Sequence, residues 1–335
     1  MKILIPVFLL SFFPEICSPQ TSDQKLENIF RRTYLSYIIS KGDNRPDFDR
    51  KKDNIDRFLV ALFKGVPVGD FMKKAGWTRD MLDEKVRLLT EKGWLKRDGD
   101  KLCPTVFIAS EEEGKELYKY AGPLAVAIAE SIAGSVPSIK EKFKELKLDP
   151  PCSFEDLSFL ILSDVLLDNW QLMKMESAFL KQENRPERHG KFYYASIEES
   201  SETGYEPFGI YGNQSGRIND STWLNIYGNN RITANRDLAN KQFCDSVMAH
   251  SLILTTEIYN FFEEISDDYH PKLMKILEDN REYSMSVFRK TGYADQIKFE
   301  EFFIWWYHFI YTSATNILAE KGLIKIPPGS NFYYR

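Results

Sequence analysis

TRDMLDEKVRLLTEKGWLKRDGDKLCPTVFIAS (residues 78–110) changes its hydrophobic period part-way along. Leu82, Val86 and Leu89 recur at helical spacing, as one inward-facing stripe requires. Thr78 precedes that stripe as an N-cap, Asp80 stands in the first turn, and Gly93 lies just past the end. Beyond Gly93, Trp94 to Arg97 and Leu102 to Ile108 read as two strands around the Asp98-Gly99 turn. Working upstream, Ile55, Phe58, Leu59, Leu62 and Phe63 mark an amphipathic helix that Gly65 and Pro67 end. Val68, Phe71, Met72 and Ala75 mark a second, shorter helix closed by Gly76.

Three helices followed by a β-ribbon, at these lengths, resemble the winged helix-turn-helix superfamily over residues 53–109, about a sixth of the chain. The resemblance implies a fold, and function only through the surface that this chain presents. In such folds the third helix enters the major groove and the ribbon touches the backbone. Arg79, Lys85, Arg87, Lys96 and Arg97 would then meet nucleic acid. Residues 51–109 hold 13 Lys and Arg against 9 Asp and Glu, a net of +4, while the rest of the chain sums to −9. Against DNA, the third helix balances its cations with Asp80, Asp83, Glu84 and Glu91, which reads equally well as a solvated helix with pairs such as Asp83 and Arg87.

The first twenty residues bear on that choice. Lys2 is followed by an apolar run, Ile3–Phe13, interrupted by Pro6 and Ser11 and ended by Pro14 and Glu15. Eleven residues cover roughly 16 Å as a helix, too short to span a bilayer, and the pattern fits a cleavable export signal. Cys17 lies in a poor lipobox context. Export takes the chain away from genomic DNA, so the first expectation is an exported, periplasmic or extracellular, non-enzymatic binding protein with a protein partner. A cytoplasmic winged-helix regulator, with the apolar run packed into its core and a sensing or dimerising C-terminal domain, is the alternative. Residues 21–52 read as a polar segment, and 41–54 as an exposed linker. Cys103, Cys152 and Cys244 have no zinc spacing and read as buried thiols with at most one bridge. Asn213 with Ser215 and Asn219 with Ser221 form two sequons.

The fold class expected is mainly α with a small β component (α+β): a winged-helix-like domain over 53–149, then a helical domain over 150–335. A helix over Glu111–Tyr120 should stop at Gly122-Pro123, and a second should run over Leu124–Ala133. Pro150-Pro151 marks the domain edge, and Ser153 with Asp156 starts a long helix reaching about Leu180. Asp164 and Asp168 lie four apart on it, in a row with Gln171 and Met175. Two carboxylates on one face can bind a metal or do acid–base work; otherwise the row faces water or pairs with Arg185 and Arg188. Arg185, Arg188 and His189 form a basic loop that can receive a carboxylate or phosphate, or a plain turn into a strand.

Phe208–Asn213 is echoed by Leu224–Asn229, with IYGN recurring after 16 residues, as in a small antiparallel meander within residues 190–233. Helices over Asp237–Ile265, Pro271–Phe288 and Phe299–Glu320 close the chain, the last with the aromatic run FFIWWYHFIY. His250 reads as a satisfied core residue, and His308 as one whose tip reaches a carboxylate. No nucleotide-binding, hydrolase or kinase motif occurs, so neither cofactor nor metal is implied. An enzyme would have to be built from Asp164, Asp168 and the Arg185–His189 loop.

Overall fold

The computed structural model of the chain describes residues 21–148, 151–200, 210–229, 238 and 240–335. The export signal expected over 1–20, and Pro150 of the expected domain edge, lie outside the described residues. The segment 21–52, read as polar, is instead partly regular. It carries helix α1 (Ser22–Arg31), opened by a capping box between Thr21 and Gln24, and strand β1 (Tyr34–Ser40). Leu26, Ile29 and Tyr34 anchor both in the core, a burial too sparsely spaced to show as periodicity.

The helix–hairpin unit has the expected order: α2 (Ile55–Phe63), α3 (Val68–Ala75), α4 (Arg79–Glu91), then β2 (Leu95–Asp98) and β3 (Lys101–Pro104) paired antiparallel. Thr78 caps α4 by accepting the Met81 amide at 3.2 Å, and Gly93 takes the left-handed conformation (φ +69°) that ends the helix. Leu82, Val86 and Leu89 are buried. They pack with Phe58, Phe71, Trp77 and Trp94 in an N-terminal core.

The parting expected at residue 149 falls elsewhere. Strand β4 (Phe107–Ala109) pairs in parallel with β6 (Lys191–Glu199), which also pairs antiparallel with β1. This sheet lies between two cores. Ile108, Tyr193, Ala195 and Ile197 face the N-terminal core, whereas Phe107, Ala109 and Tyr194 face a larger helical one. Period-2 alternation is what lets one sheet serve both. The helices that trail the hairpin belong to the second core, and a strand from the second half of the chain completes the first.

No break occurs at Gly122-Pro123. A single helix α5 (Glu111–Phe143) runs through Pro123 and Pro137. An internal proline costs about 3 kcal/mol or more. Leu117, Ala121, Leu124, Ala125, Ile128, Ala129 and Ile132 are fully buried on one face. Burial of those apolar side chains on both sides of Pro123, at about 25 cal/mol per Å², outweighs that cost. By length and apolar composition α5 could cross a bilayer, but here its apolar face is core, packed on α9 (Thr256–Asp279) and α11 (Phe299–Glu320). The aromatic run in α11 is core almost throughout, with Trp306 Nε1 donating to Leu117 O at 3.0 Å.

The helix expected from Ser153 to Leu180 is divided. It opens as α6 (Phe154–Phe159), loosens into a π-helical turn (Leu160–Val165), breaks at Asp168 (φ −112°, ψ −98°) and resumes as α7 (Asn169–Ala178). β5 (Glu187–Arg188) and β6 form a hairpin turned by His189 and Gly190, both at positive φ. β7 (Tyr211–Arg217) and β8 (Trp223–Asn229) pair as the sequence echo implies, the two YGN copies lying opposite each other. A third strand, β9 (Asn331–Tyr334), joins them through β8. Toward the C-terminus the helices are α8 (Lys241–Met248), α9 and α10 (Arg281–Lys290), then α11. Pro271 lies inside α9, where a new helix was expected to begin. The architecture is α+β.

Candidate functional site

Lys85 is removed from the surface that would meet nucleic acid. It is only 5% exposed and bonds Asp53 Oδ2 at 2.8 Å. That bond raises the ammonium above its ordinary range and steadies a loop in which Asp53 and Asn54 both have positive φ. Arg79 and Arg87 are well exposed, but each meets the acid one turn on: Asp83 at 3.2 Å and Glu91 at 4.0 Å. Asp80 and Glu84 add two further exposed carboxylates. Lys96 donates to Asp295 O at 3.2 Å, and Arg97 is exposed on the hairpin. Lys85 still answers one of these acids, bonding Glu84 Oε1 at 3.1 Å, and the exposed Asp80, Asp83, Glu84 and Glu91 against Arg79 and Arg87 leave the outward face of α4 mildly acidic.

The five residues singled out in the second half separate into three places. Arg185 pairs with Glu176 at 2.9 Å, beside α7. His189 is half exposed, with Glu91 at 3.7 Å. Arg188 does receive a carboxylate, though from within the chain. One of its terminal nitrogens bonds both oxygens of Glu301 on α11 at 2.7 Å and also Thr105 O, while the other bonds Tyr193 O. Both members are nearly fully buried, so the pair ties α11 to β6 and to the turn after the hairpin. Burial pushes the Glu301 carboxyl up, and Arg188 pulls it back.

Asp164 and Asp168 remain together and are buried, at 0% and 4% exposure, so the expected solvated row is wrong. The π turn and the break before α7 put both carboxyls on the inner side, a common setting for functional sites. Asn213 of β7 bridges them, its Nδ2 donating to Asp164 Oδ1 and, at 3.1 Å, to Asp168 Oδ2. The Tyr334 hydroxyl of β9 lies 2.9 Å from Asp164 Oδ2 and 3.0 Å from Asn213 Oδ1. The Asn169 amide adds a bond to Asp164 Oδ1 at 3.3 Å. Next to them, Ser163 bonds both Tyr227 and Thr315. Burial, then the charge of Asp168, pushes the Asp164 carboxyl well above the ordinary range, against the bonds from Asn213 and Tyr334.

No protein-family model, curated protein or solved structure matches this chain. The chemistry therefore has to be read from the side chains. Among the described residues no three His, Cys, Asp or Glu side chains group as metal ligands. Asn213 and Tyr334, far apart in the sequence, carry no local signal that would mark them as partners of the carboxyls. Asn213 belongs to a sequon, yet its side-chain amide is spent on the two carboxyls. A surface cavity of about 370 Å³ on α1, lined by Glu27, Asn28, Phe30 and Arg31, contains none of the expected residues.

Cys103 is buried and Cys152 only half-buried, both as free thiols, and the buried Cys244 donates its Sγ–H to Leu238 O at 3.5 Å. His250 is exposed rather than in the core. His308 is buried, yet its Nδ1 meets Ile304 O at 2.7 Å and no carboxylate. Burial holds its imidazole down at about 4. A depressed value stabilises the fold above the unfolded value of about 6.5 and is lost as pH falls through about 4. Stability should therefore drop by about 3 kcal/mol across that window because of this group. Urea unfolding of His308→Gln should show a correspondingly shallower acid decline; an unchanged slope would reject the assignment.

Proposed function

We propose that this chain is an exported, non-enzymatic binding protein whose helix–hairpin unit presents α4 to another protein. The observation that carries the reading is the charge of the exposed α4 face. Asp80, Asp83, Glu84 and Glu91 outnumber Arg79 and Arg87 there, while Lys85 is buried between Asp53 and Glu84. A helix entering the major groove must approach phosphate from both sides, and this face repels it. The same face complements a partner that presents lysines and arginines. The export signal read over residues 1–20 points to the same class of partner.

A cytoplasmic DNA-binding regulator is the second reading. Lys96, Arg97 and Lys101, exposed on the hairpin, favour it.

The test places a photocrosslinker at Thr90, on the exposed side of α4, in the native cell. The expected adduct is with a protein rich in surface Lys and Arg, and it is lost when Asp80, Asp83 and Glu84 become Asn or Gln. Duplex binding that weakens steeply with salt and disappears on changing Arg79, Arg87 and Arg97 to Ala would overturn the reading. Recovery of the protein from the cytosol with Met1 intact would argue the same way.

A further inference from the structure

Tyr334 has one hydroxyl proton and two oxygens in reach. Its oxygen is 2.9 Å from Asp164 Oδ2 and 3.0 Å from Asn213 Oδ1. The amide oxygen can only accept. Both amide protons of Asn213 are already directed at the two carboxyls. Turning that amide over would face its oxygen to both carboxyls and require each to be protonated. With the amide as it stands, an ionised Asp164 leaves two acceptors competing for one proton. A neutral Asp164 resolves the conflict, because Asp164 then donates to Tyr334, Tyr334 donates to Asn213, and Asn213 donates back to Asp164 and across to Asp168. With Asp164 neutral every donor in that ring meets an acceptor, and Tyr334 also bonds the Asn169 side chain.

We infer that β9 is a proton-dependent latch: Asp164, held as the neutral acid, fastens Tyr334 and with it the C-terminal strand to the helical core. The titratable groups facing Asp164 are Asp168 from its own helix, Tyr227 from β8, Tyr311 from α11 and Tyr334 itself, while Tyr307 faces Asp168. Burial and the Asp168 charge both favour the neutral form of Asp164, in agreement with the hydrogen-bond geometry. β9 has other ties: it pairs with β8 from Asn225 to Gly228, and on its far edge Leu252 N donates to Tyr333 O and Arg335 N to Leu252 O. The latch therefore governs fraying of the strand and not global unfolding.

The sign follows from linkage. The closed state holds a proton that the open state releases near an ordinary carboxyl value of about 4, so opening is favoured as pH rises. Amide protection at Leu252, Leu254 and Arg335, corrected for intrinsic exchange, should fall about tenfold per pH unit above about pH 4. The fall should level off once Asp164 ionises in the closed state. Amides in the centre of α11 should not follow. Asp164→Asn, whose amide can donate to Tyr334 without titrating, should make the profile flat and protected.

An infrared band of a buried carboxylic acid should be present in the native protein at neutral pH and absent from Asp164→Asn. Should that variant fail to fold, Tyr334→Phe keeps the ring packed beside Trp170 but removes the hydroxyl. It should lower protection at acid pH and flatten the profile. No acid band at neutral pH, a flat native profile, or an undiminished slope in either variant would overturn the latch.

Discussion

Replacing Arg188 by alanine should destabilise the folded chain by about 3–5 kcal/mol, because it strands Glu301 as an unpaired charge in the core. The guanidinium bonds both Glu301 oxygens and two backbone carbonyls, Thr105 O and Tyr193 O. Those carbonyls lose their donor as well. The loss should depend on pH. Without Arg188, burial is opposed only by the Ala195 amide, which donates to Glu301 Oε1 at 3.3 Å, and the carboxyl rises further than in the native protein. A raised value leaves stability fully present below the unfolded carboxyl value of about 4.3 and removes it as pH rises through the folded value. The variant should therefore lie nearer the native protein at pH 4 than at pH 8. Replacing both partners with apolar residues, Arg188→Met with Glu301→Leu, should recover much of the loss. Denaturant unfolding of the three variants at both pH values checks this. A loss under about 1 kcal/mol for Arg188→Ala would mean that water, not the ion pair, satisfies Glu301.

The Arg188 example also shows what could be read from the sequence. Arg188 stood out as a receiver of anions, and it does receive one. Nothing local marked Glu301 as the anion, because their approach depends on α11 lying against β6. The helix–hairpin unit was legible for the opposite reason. Its determinants are local: the 82–86–89 stripe, the Thr78 cap, Gly93 at φ +69° and the Asp98-Gly99 turn. Where tertiary packing overrides local preference, the reading failed. Pro123 stays inside α5 because that helix is buried against α9 and α11. The Ser153 helix yields at Asp168, where its carboxyls meet Asn213 and Tyr334.

The carboxyl pair was half legible. Its i, i+4 spacing was visible and its burial was not, because a row containing Asp164, Asp168 and Gln171 looks solvated by composition. All three are in fact buried, with Gln171 donating to Ser266 at 2.8 Å and meeting His270 at 3.0 Å. Buried polar groups persist where partners are supplied, and the partners here come from three other elements. The shared sheet was missed in a similar way. β6 was read as a strand, but its neighbours β1 and β4 lie in what seemed a separate half of the chain.

Gly228→Ala should detach β9 without touching either carboxyl, at a cost of about 3 kcal/mol or more. Gly228 lies opposite Asn331 in the β8–β9 ladder. A Cβ there would stand 2.0 Å from Ser330 O, 2.5 Å from Asn331 Oδ1 and 2.8 Å from Asn331 Cα. Two of those three atoms are backbone, so no rotamer change relieves the overlap; the strand itself must move. Movement of Asn331 away from β8 strips the ladder bonds and carries Tyr334 away from Asp164. The variant then separates two consequences of closing the strand. Exchange at Leu252, Leu254 and Arg335 should be fast at every pH, and the buried-acid infrared band should weaken at neutral pH as Asp164 gains water and ionises. The α2–α4 unit packs in the other core, so amide protection along α2–α4 should change little. If β9 keeps its protection in Gly228→Ala, the close approach at Ser330 is not what seats the strand. The Asp164–Tyr334 bond and the Leu252 edge would then hold β9, and adding Tyr334→Phe to Gly228→Ala should lower its protection below that of either single variant.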